Sequence, residues 1–436
     1  MVLQLLLLFI YIIALVMLDR CFSRKSGSGF SITLPQLYFI ALIAYTVLPM
    51  FDCILNQKDS DYIVPFLGEC IIIAFSLTVG YLIGDKHGAR LCLHRPVQSE
   101  MYLDYQQQFF WTVFWGGVVI AFLGINILFN RGGLSNAFST TYRDSYVATS
   151  SNTIGFLEYS AMPYAMMFND KRLIRDKHIR RIAFIISMVV IAVHFLLGNR
   201  NLAVMVGIGL VWSLFREKKF KKVTVYLLMI AGIVFLGIVA VMREYSIMLV
   251  LKGEAAINWD LARKYAFSFA NGELGTTFKF ETYKSRIVSG FQFPYRFGYS
   301  YIILPLINVI PSALWGGKPT AYADYYSHHA FGGFDGTGYG FSPIYEAQVN
   351  FGLFWWIVFI IVGYFLARCN RNDNDNMNKF FNVGLVACIL LNFFRIDFTT
   401  CFKFFAMMWV FKLMYQKSFR LTFKTLGSRY YMEAQK

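Results

Sequence analysis

Charge is scarce in this chain: Asp, Glu, Lys and Arg make up 15% of its 436 residues, against 57% that are hydrophobic. So little polar material cannot cover a set of soluble domains, and a mean hydropathy of +0.50 points instead to a single membrane domain. Acidic residues are the scarcer sign, 25 against 41 Lys and Arg, which leaves a formal charge of +16. In a soluble protein that balance would suggest nucleic acid. Here the basic residues fall in short loops between apolar runs, where membrane topology needs them, and no nucleic-acid partner is expected.

Several chemical signatures are missing as well. The chain has no phosphate-binding glycine loop of the nucleotide type, no His-Glu-x-x-His and no nucleophile elbow, which argues against an ATP-driven pump and against hydrolases of those kinds. Cysteine is absent from the longest polar stretch, residues 243–350. Cys21, Cys53, Cys70, Cys92, Cys388 and Cys401 lie in or beside apolar runs, and Cys369 is in a basic loop. Neither a disulfide framework nor a cysteine metal site is expected.

What the chain has is apolar length. A bilayer core about 30 Å thick takes roughly 17 to 25 residues per helical span. Runs near that length cover 2–18, 33–53, 63–84, 109–129, 153–169, 182–197, 201–216, 223–242, 351–368, 379–394 and 399–415. The first has no basic residue before it and no small-residue cleavage site after it, so it is expected to be a retained helix. Alternate loops carry Arg20/Arg24/Lys25, Lys86/Arg90/Arg95, the basic run from Lys171 to Arg181, Lys218 to Lys222, and Arg368/Arg371/Lys379. These are expected in the cytoplasm with the C-terminal tail, and the N-terminus outside.

The expected fold is therefore all-α and polytopic, with about eleven transmembrane helices and one large extracytoplasmic loop. Its division is 1–242 for helices 1 to 8, 243–350 for the loop, 351–416 for helices 9 to 11, and 417–436 for a basic tail. A loop of that length inside a compact architecture is usually functional. Within it, 259–288 has helical patterning, and Gly298 to Leu314 is apolar enough to pack on or dip into the membrane surface. Pro305 and Pro311 argue against an uninterrupted span there. The glycine-dense stretch Gly332-Gly333-Phe334-Asp335-Gly336-Thr337-Gly338 predicts tight turns or close backbone approach to a ligand.

The extracytoplasmic segments combine arginines (Arg131, Arg143, Arg200, Arg243, Arg263, Arg286, Arg296) with aromatic residues that include Tyr301, Trp315 and Tyr325. Arginine forks suit phosphate oxygens, and aromatic faces suit sugar rings. Arg200 interrupts two apolar helices in Gly198-Asn199-Arg200-Asn201; the bland alternative is an arginine snorkelling to headgroups. Arg286 follows Lys279, Glu281 and Lys284, so it could equally be one charge of a solvated face. Glu346, Asp324 and His329 are the candidate bases, in that order, and an acid at a helix N-terminus is the competing account of Glu346. Asp59-Ser60-Asp61 has a cation-holding spacing, but a solvated loop is the expectation.

One stretch is more specific than these. Gly298-Tyr299-Ser300-Tyr301 through Ile310-Pro311-Ser312-Ala313-Leu314-Trp315-Gly316-Gly317-Lys318-Pro319, then Phe341-Ser342-Pro343-Ile344-Tyr345-Glu346-Ala347 and Asn350-Phe351-Gly352, resembles the bacterial O-antigen polymerase (Wzy) and oligosaccharide repeat-unit polymerase family. Gly198-Asn199-Arg200 resembles that family's arginine turn, and Arg286 an arginine ahead of the Ile-Pro-x-x-x-Trp stretch. The resemblance implies an inner-membrane glycosyltransferase of the C type that joins glycans carried on undecaprenyl diphosphate, with a periplasmic loop as the working part. It further implies a Wzz-type chain-length regulator and a repeat-unit flippase as partners. Diphosphate is a good leaving group, so fixed cations suffice and no metal or cofactor is expected. Arg200 and Arg286 are expected to be catalytic. Arg143, Arg243, Tyr301, Trp315, Lys318 and Tyr325 are expected to bind substrate.

Two rivals remain. An O-antigen ligase handles a similar lipid-linked glycan. A flippase or secondary transporter should show repeated halves and broken charged helices at midplane, and no convincing repeat is present.

Overall fold

The computed structural model describes residues 2–23, 33–56, 60–90, 104–130, 132–133, 153–197, 199–214, 221, 223–224, 227, 253, 273–278, 297–310, 314–315, 317–325, 340–370 and 377–433. These residues hold helices and no strand. In chain order they form α1 (Val2–Ser23), α2 (Leu34–Asn56), α3 (Ser60–Arg90), α4 (Tyr105–Asn130), α5 (Ala161–Met167), α6 (Lys177–Leu196), α7 (Arg200–Leu214), α8 (Tyr299–Val309), α9 (Pro343–Phe351), α10 (Ile357–Cys369), α11 (Met377–Phe393) and α12 (Phe398–Glu433).

Among the described residues five helices are long and apolar enough to cross a membrane, or six if one bent pair counts as a span. The five are α1, α2, and most of α3, α4 and α6, where spans are expected from sequence. The runs at 201–216 and 379–394 appear as the shorter apolar helices α7 and α11. The run at 153–169 is a 3-10 segment, Thr153–Ser160, that passes into α5, all of whose residues are buried. Most of 223–242 lies outside the described residues. The bent pair is Pro343–Phe354 with Ile357–Cys369, which meet at 116°. α9 therefore does not continue α10. Pro305 lies inside α8 without ending it. The helix stops at Val309, where Ile310 takes the extended backbone that the following Pro311 favours.

The chain divides into two compact units. The first unit comprises Met1–His94, Glu217–Asp373 and Leu390–Lys403; the second comprises Arg95–Arg216, Asn374–Ile389 and Phe404–Lys436.

In the first unit α3 and α10 touch backbone to backbone. A Cβ at Gly80 would overlap the carbonyl oxygen of Ile360, and one at Gly363 that of Leu77; one at Gly84 would come within 2.7 Å of Tyr364 O. Association of helices in lipid depends on such close packing, because burial of apolar side chains there gains nothing over contact with acyl chains. Tyr11 of α1 and Thr46 of α2 share a hydrogen bond of 2.7 Å, and Tyr45 stacks on Phe394 at 5.4 Å. The outer face of α1 exposes Leu3, Leu6, Phe9 and Ile13, as lipid contact requires.

The second unit packs by aromatic and polar contacts around the buried α5. Trp115 Nε1–H donates to Ser418 Oγ at 3.1 Å, Tyr164 OH to Thr112 O at 3.0 Å, and Tyr415 OH to Ser160 O at 2.9 Å. Asp176 caps α6 by accepting from the N–H groups of His178 and Ile179. Arg172 grips Asp170 through Nε and Nη2, at 3.0 and 2.8 Å, and lays its guanidinium over the Phe380 ring.

Candidate functional site

The candidate site lies in the first unit, where α8, α9, residues 317–325 and the start of α12 come together. Gly298 opens α8 at φ 78°, a left-handed conformation, and a Cβ there would stand 3.3 Å from the Phe351 ring. Phe297 before it is held at φ 59°, a strained angle for a side-chain-bearing residue, with its N–H donating to Asn350 O at 3.0 Å. α9 begins conventionally: Ser342 Oγ accepts from Tyr345 N–H, and Pro343 occupies the first turn, where no N–H is needed.

Glu346 and Asn350, four residues apart on α9, share a face directed at α8. Glu346 is 1% exposed. Ser300 Oγ–H donates to Glu346 Oε1 at 2.6 Å, and Phe398 N–H donates to Oε2 at 2.8 Å. Asn350 Nδ2 donates to Ser300 Oγ at 2.9 Å, and Thr399 Oγ1–H to Ser300 O at 3.0 Å. Three helices are thus tied through one carboxylate and one hydroxyl.

Asp397 makes the second tie. It is fully buried and precedes α12; Oδ1 accepts from Thr400 N–H and Oδ2 from Ala323 N–H, each at 2.9 Å. The exposed amides at the start of α12 therefore meet two carboxylates, the arrangement a helix N-terminus favours. The same bond to Ala323 fastens residues 321–325 to the helix.

Asp324 follows Ala323 and is exposed, while Tyr322 behind it is buried with Leu304, Phe341 and Tyr345, and Tyr325 packs against that cluster. Lys318 Nζ donates to Ile310 O at 2.6 Å and to Asn308 O at 3.4 Å, closing carbonyls at the end of α8. Partial burial lowers the Lys318 ammonium below the ordinary lysine range. Lys403, on the second turn of α12, stands within electrostatic reach of Lys318, Asp324 and Asp397. The Tyr301 ring lies between Phe351 and Phe398, with centroids 5.9 and 5.3 Å away. An exposed carboxylate with the Lys403 ammonium near it can accept a proton, and Lys403 with the neighbouring Lys318 can balance phosphate charge.

A family model described as O-antigen polysaccharide polymerase Wzy matches residues 1–423. The chain belongs to this O-antigen polymerase family. Together with its long apolar helices, that makes it a multi-pass membrane polymerase of lipopolysaccharide biosynthesis. No curated protein and no solved structure matches it.

Of the residues expected to act in this O-antigen polymerase, the fold brings Tyr301, Lys318, Asp324, Tyr325 and Glu346 into one region of the first unit. Trp315, exposed, follows the end of α8. Arg200 is the first residue of α7, in the second unit, and its backbone alone is described. Arg143, Arg243, Arg286 and His329 lie outside the described residues, as does Asp59. Ser60 and Asp61 open α3.

Ser300, Asn350, Asp397 and Lys403 carry the site; the first two lie in the stretches that carry the family resemblance but have no role assigned there, and the last two are not singled out by sequence. Asp397 had a signal: an Asp immediately before an apolar helix is an N-cap pattern. Lys403 had one too, as a cation within an apolar run. Ser300 had no signal of its role beyond the resembling stretch it belongs to, since a hydroxyl in a helix is unremarkable until its partner is known.

Proposed function

We propose that the chain lengthens an O-antigen at the periplasmic face of the bacterial inner membrane, with its N-terminus periplasmic and its C-terminus cytoplasmic. A growing glycan on undecaprenyl diphosphate is transferred to the non-reducing end of a new lipid-linked repeat unit. The acceptor hydroxyl oxygen bonds to the anomeric carbon as the bond from that carbon to the diphosphate breaks. The hydroxyl proton goes to a base, and the electron pair leaves on the diphosphate.

The observation that supports this reading best is Asp324, an exposed carboxylate fastened through Ala323 to Asp397 and set beside Lys403. Asp324 takes the role of base, with His329 the second choice. Glu346, first in order from sequence, has both oxygens engaged by Ser300 and Phe398, so its role here is to position. Lys318 and Lys403 balance charge on the leaving diphosphate. The arginine part of the proposal, Arg200 and Arg286 with Arg143 or Arg243 assisting, rests on sequence. Tyr301, Trp315 and Tyr325 are assigned to sugar contact. Fixed cations supply what a divalent ion otherwise would, and the reaction is taken as metal-independent. A chain-length regulator of the Wzz type and a repeat-unit flippase are the expected partners.

The test is the lipopolysaccharide banding of a cell lacking this gene, complemented with wild type, Asp324→Ala or Arg200→Ala at matched membrane levels. The reading expects one repeat without the gene, a ladder with wild type and no ladder with either variant. Loss of even the single repeat points to a ligase or flippase instead. A normal ladder from one variant removes that residue from the site.

A further inference from the structure

α8 is inside out. Its buried stripe, at four-residue spacing, is Ser300, Leu304 and Asn308, two of them polar; its exposed stripe is Ile302, Leu306 and Ile310, with Ile303 beside them. Ile302 is 66% exposed and Leu306 63%. A loop helix in water would bury the isoleucines and leucine and expose the serine and asparagine. The polar side chains instead have protein partners: Ser300 bonds Glu346, and Asn308 Nδ2 donates to Leu304 O and Pro319 O at 3.2 and 3.3 Å.

The apolar exposure continues beyond the helix. Leu314 after its end, and Leu353 and Phe354 at the bend that leads into α10, are exposed as well. From Tyr299 to Trp315 the sequence contains no charged residue. Yet α8 has 11 residues, about 16 Å at 1.5 Å per residue, roughly half a bilayer core. It cannot cross.

We propose that α8 is seated in the outer leaflet of the bilayer, with Ile302, Ile303, Leu306 and Ile310 against acyl chains and Ser300 and Asn308 turned to the protein. The occupant of this face is lipid. A helix with an apolar outer face and satisfied backbone can lie at that depth, and the α9–α10 bend joins it to a segment entering the membrane. Lys318, which holds carbonyls at the α8 C-terminus, then stands near headgroup depth, where the diphosphate of a lipid-linked substrate lies. That last step rests on the reaction proposed above and the choice of leaflet on its orientation; the contact of the exposed α8 face with lipid rests on neither.

The experiment places an environment-sensitive fluorophore on Ile302→Cys, Leu306→Cys and, as an aqueous control, Asp324→Cys in the full-length chain, reconstituted in phosphatidylcholine vesicles. Labelled wild type sets the background from the seven native cysteines. Each sample meets two quenchers, iodide in the water and doxyl-labelled phosphatidylcholine in the bilayer. The expected result is quenching of the 302 and 306 labels by doxyl lipid and not by iodide, and of the 324 label by iodide. Quenching of 302 and 306 by iodide overturns the proposal in favour of a water-exposed face. Quenching of those labels by neither overturns it in favour of a protein partner or a second copy covering the face. Because no step reads activity, a chain that fails to make ladders still gives a clear answer.

Discussion

The α3–α10 seam and the corner where α8, α9 and α12 meet belong to the same unit but are held by different means. Along the seam, glycines let two backbones touch, and a side-chain hydrogen bond, from Asn370 Nδ2 to Tyr81 OH at 2.7 Å, stands at the C-terminal end of α10 beyond those glycines. At the corner, polar side chains engage backbone amides and one another, and each bond fixes a direction. The seam fixes where the helices stand. The corner fixes where Asp324 and Lys318 stand. Substitutions in the two places should therefore fail differently, and ranking them by their effect on folding separates the two kinds of contact.

The largest effect is expected at the seam. Gly363→Leu must push the Leu77 carbonyl away, which no rotamer change can do because the obstruction is backbone, and the cost should exceed about 3 kcal/mol. Little chain should remain in the membrane fraction on immunoblots, and Gly80→Leu should behave alike. Normal levels of both would mean that the helices are not in contact as described.

Asp397→Ala comes next. It strips the acceptor from two N–H groups, those of Thr400 and Ala323, for a loss of about 2 to 4 kcal/mol. The detergent-purified chain should melt earlier, and ladders should be lost even where protein persists. Asp397→Asn, which keeps one acceptor oxygen, should fall between the two. Ser300→Ala removes a single donor to Glu346 and the acceptor for Asn350, worth about 1 to 2 kcal/mol. It should lower the melting temperature modestly and shorten ladders rather than abolish them.

The difference between seam and corner also explains what was legible in the sequence. Spans announce themselves as long apolar runs, so α1, α2, α3, α4 and α6 fall where expected. The glycines of the seam are silent because a glycine in an apolar helix gives no sign of which backbone it will meet. The 116° bend before α10 is equally silent: Gly352-Leu353-Phe354 contains neither proline nor charge. Glu346 was legible as a carboxylate near a helix start and a candidate base; what sequence does not show is the two donors, Ser300 and Phe398, that engage it. Asp397 falls between the apolar runs 379–394 and 399–415, where sequence shows only a connector; its consequence lies at Ala323, 74 positions away. Asp324 and Lys318 stood out because glycine, proline and tyrosine surround them in a segment where charge is rare.

The smallest effect on folding is expected at Asp324 itself. Its side chain is exposed, so Asp324→Ala should leave membrane level and melting temperature as in wild type. Its effect on ladders should nevertheless match that of Asp397→Ala. The pair is informative because the two residues are joined through the peptide that Asp397 holds. If Asp397 acts by placing Asp324, the double variant should lose no more activity than either single one, while keeping the stability loss of Asp397→Ala alone. Activity losses that multiply in the double variant would mean that Asp397 serves the reaction by a route independent of Asp324.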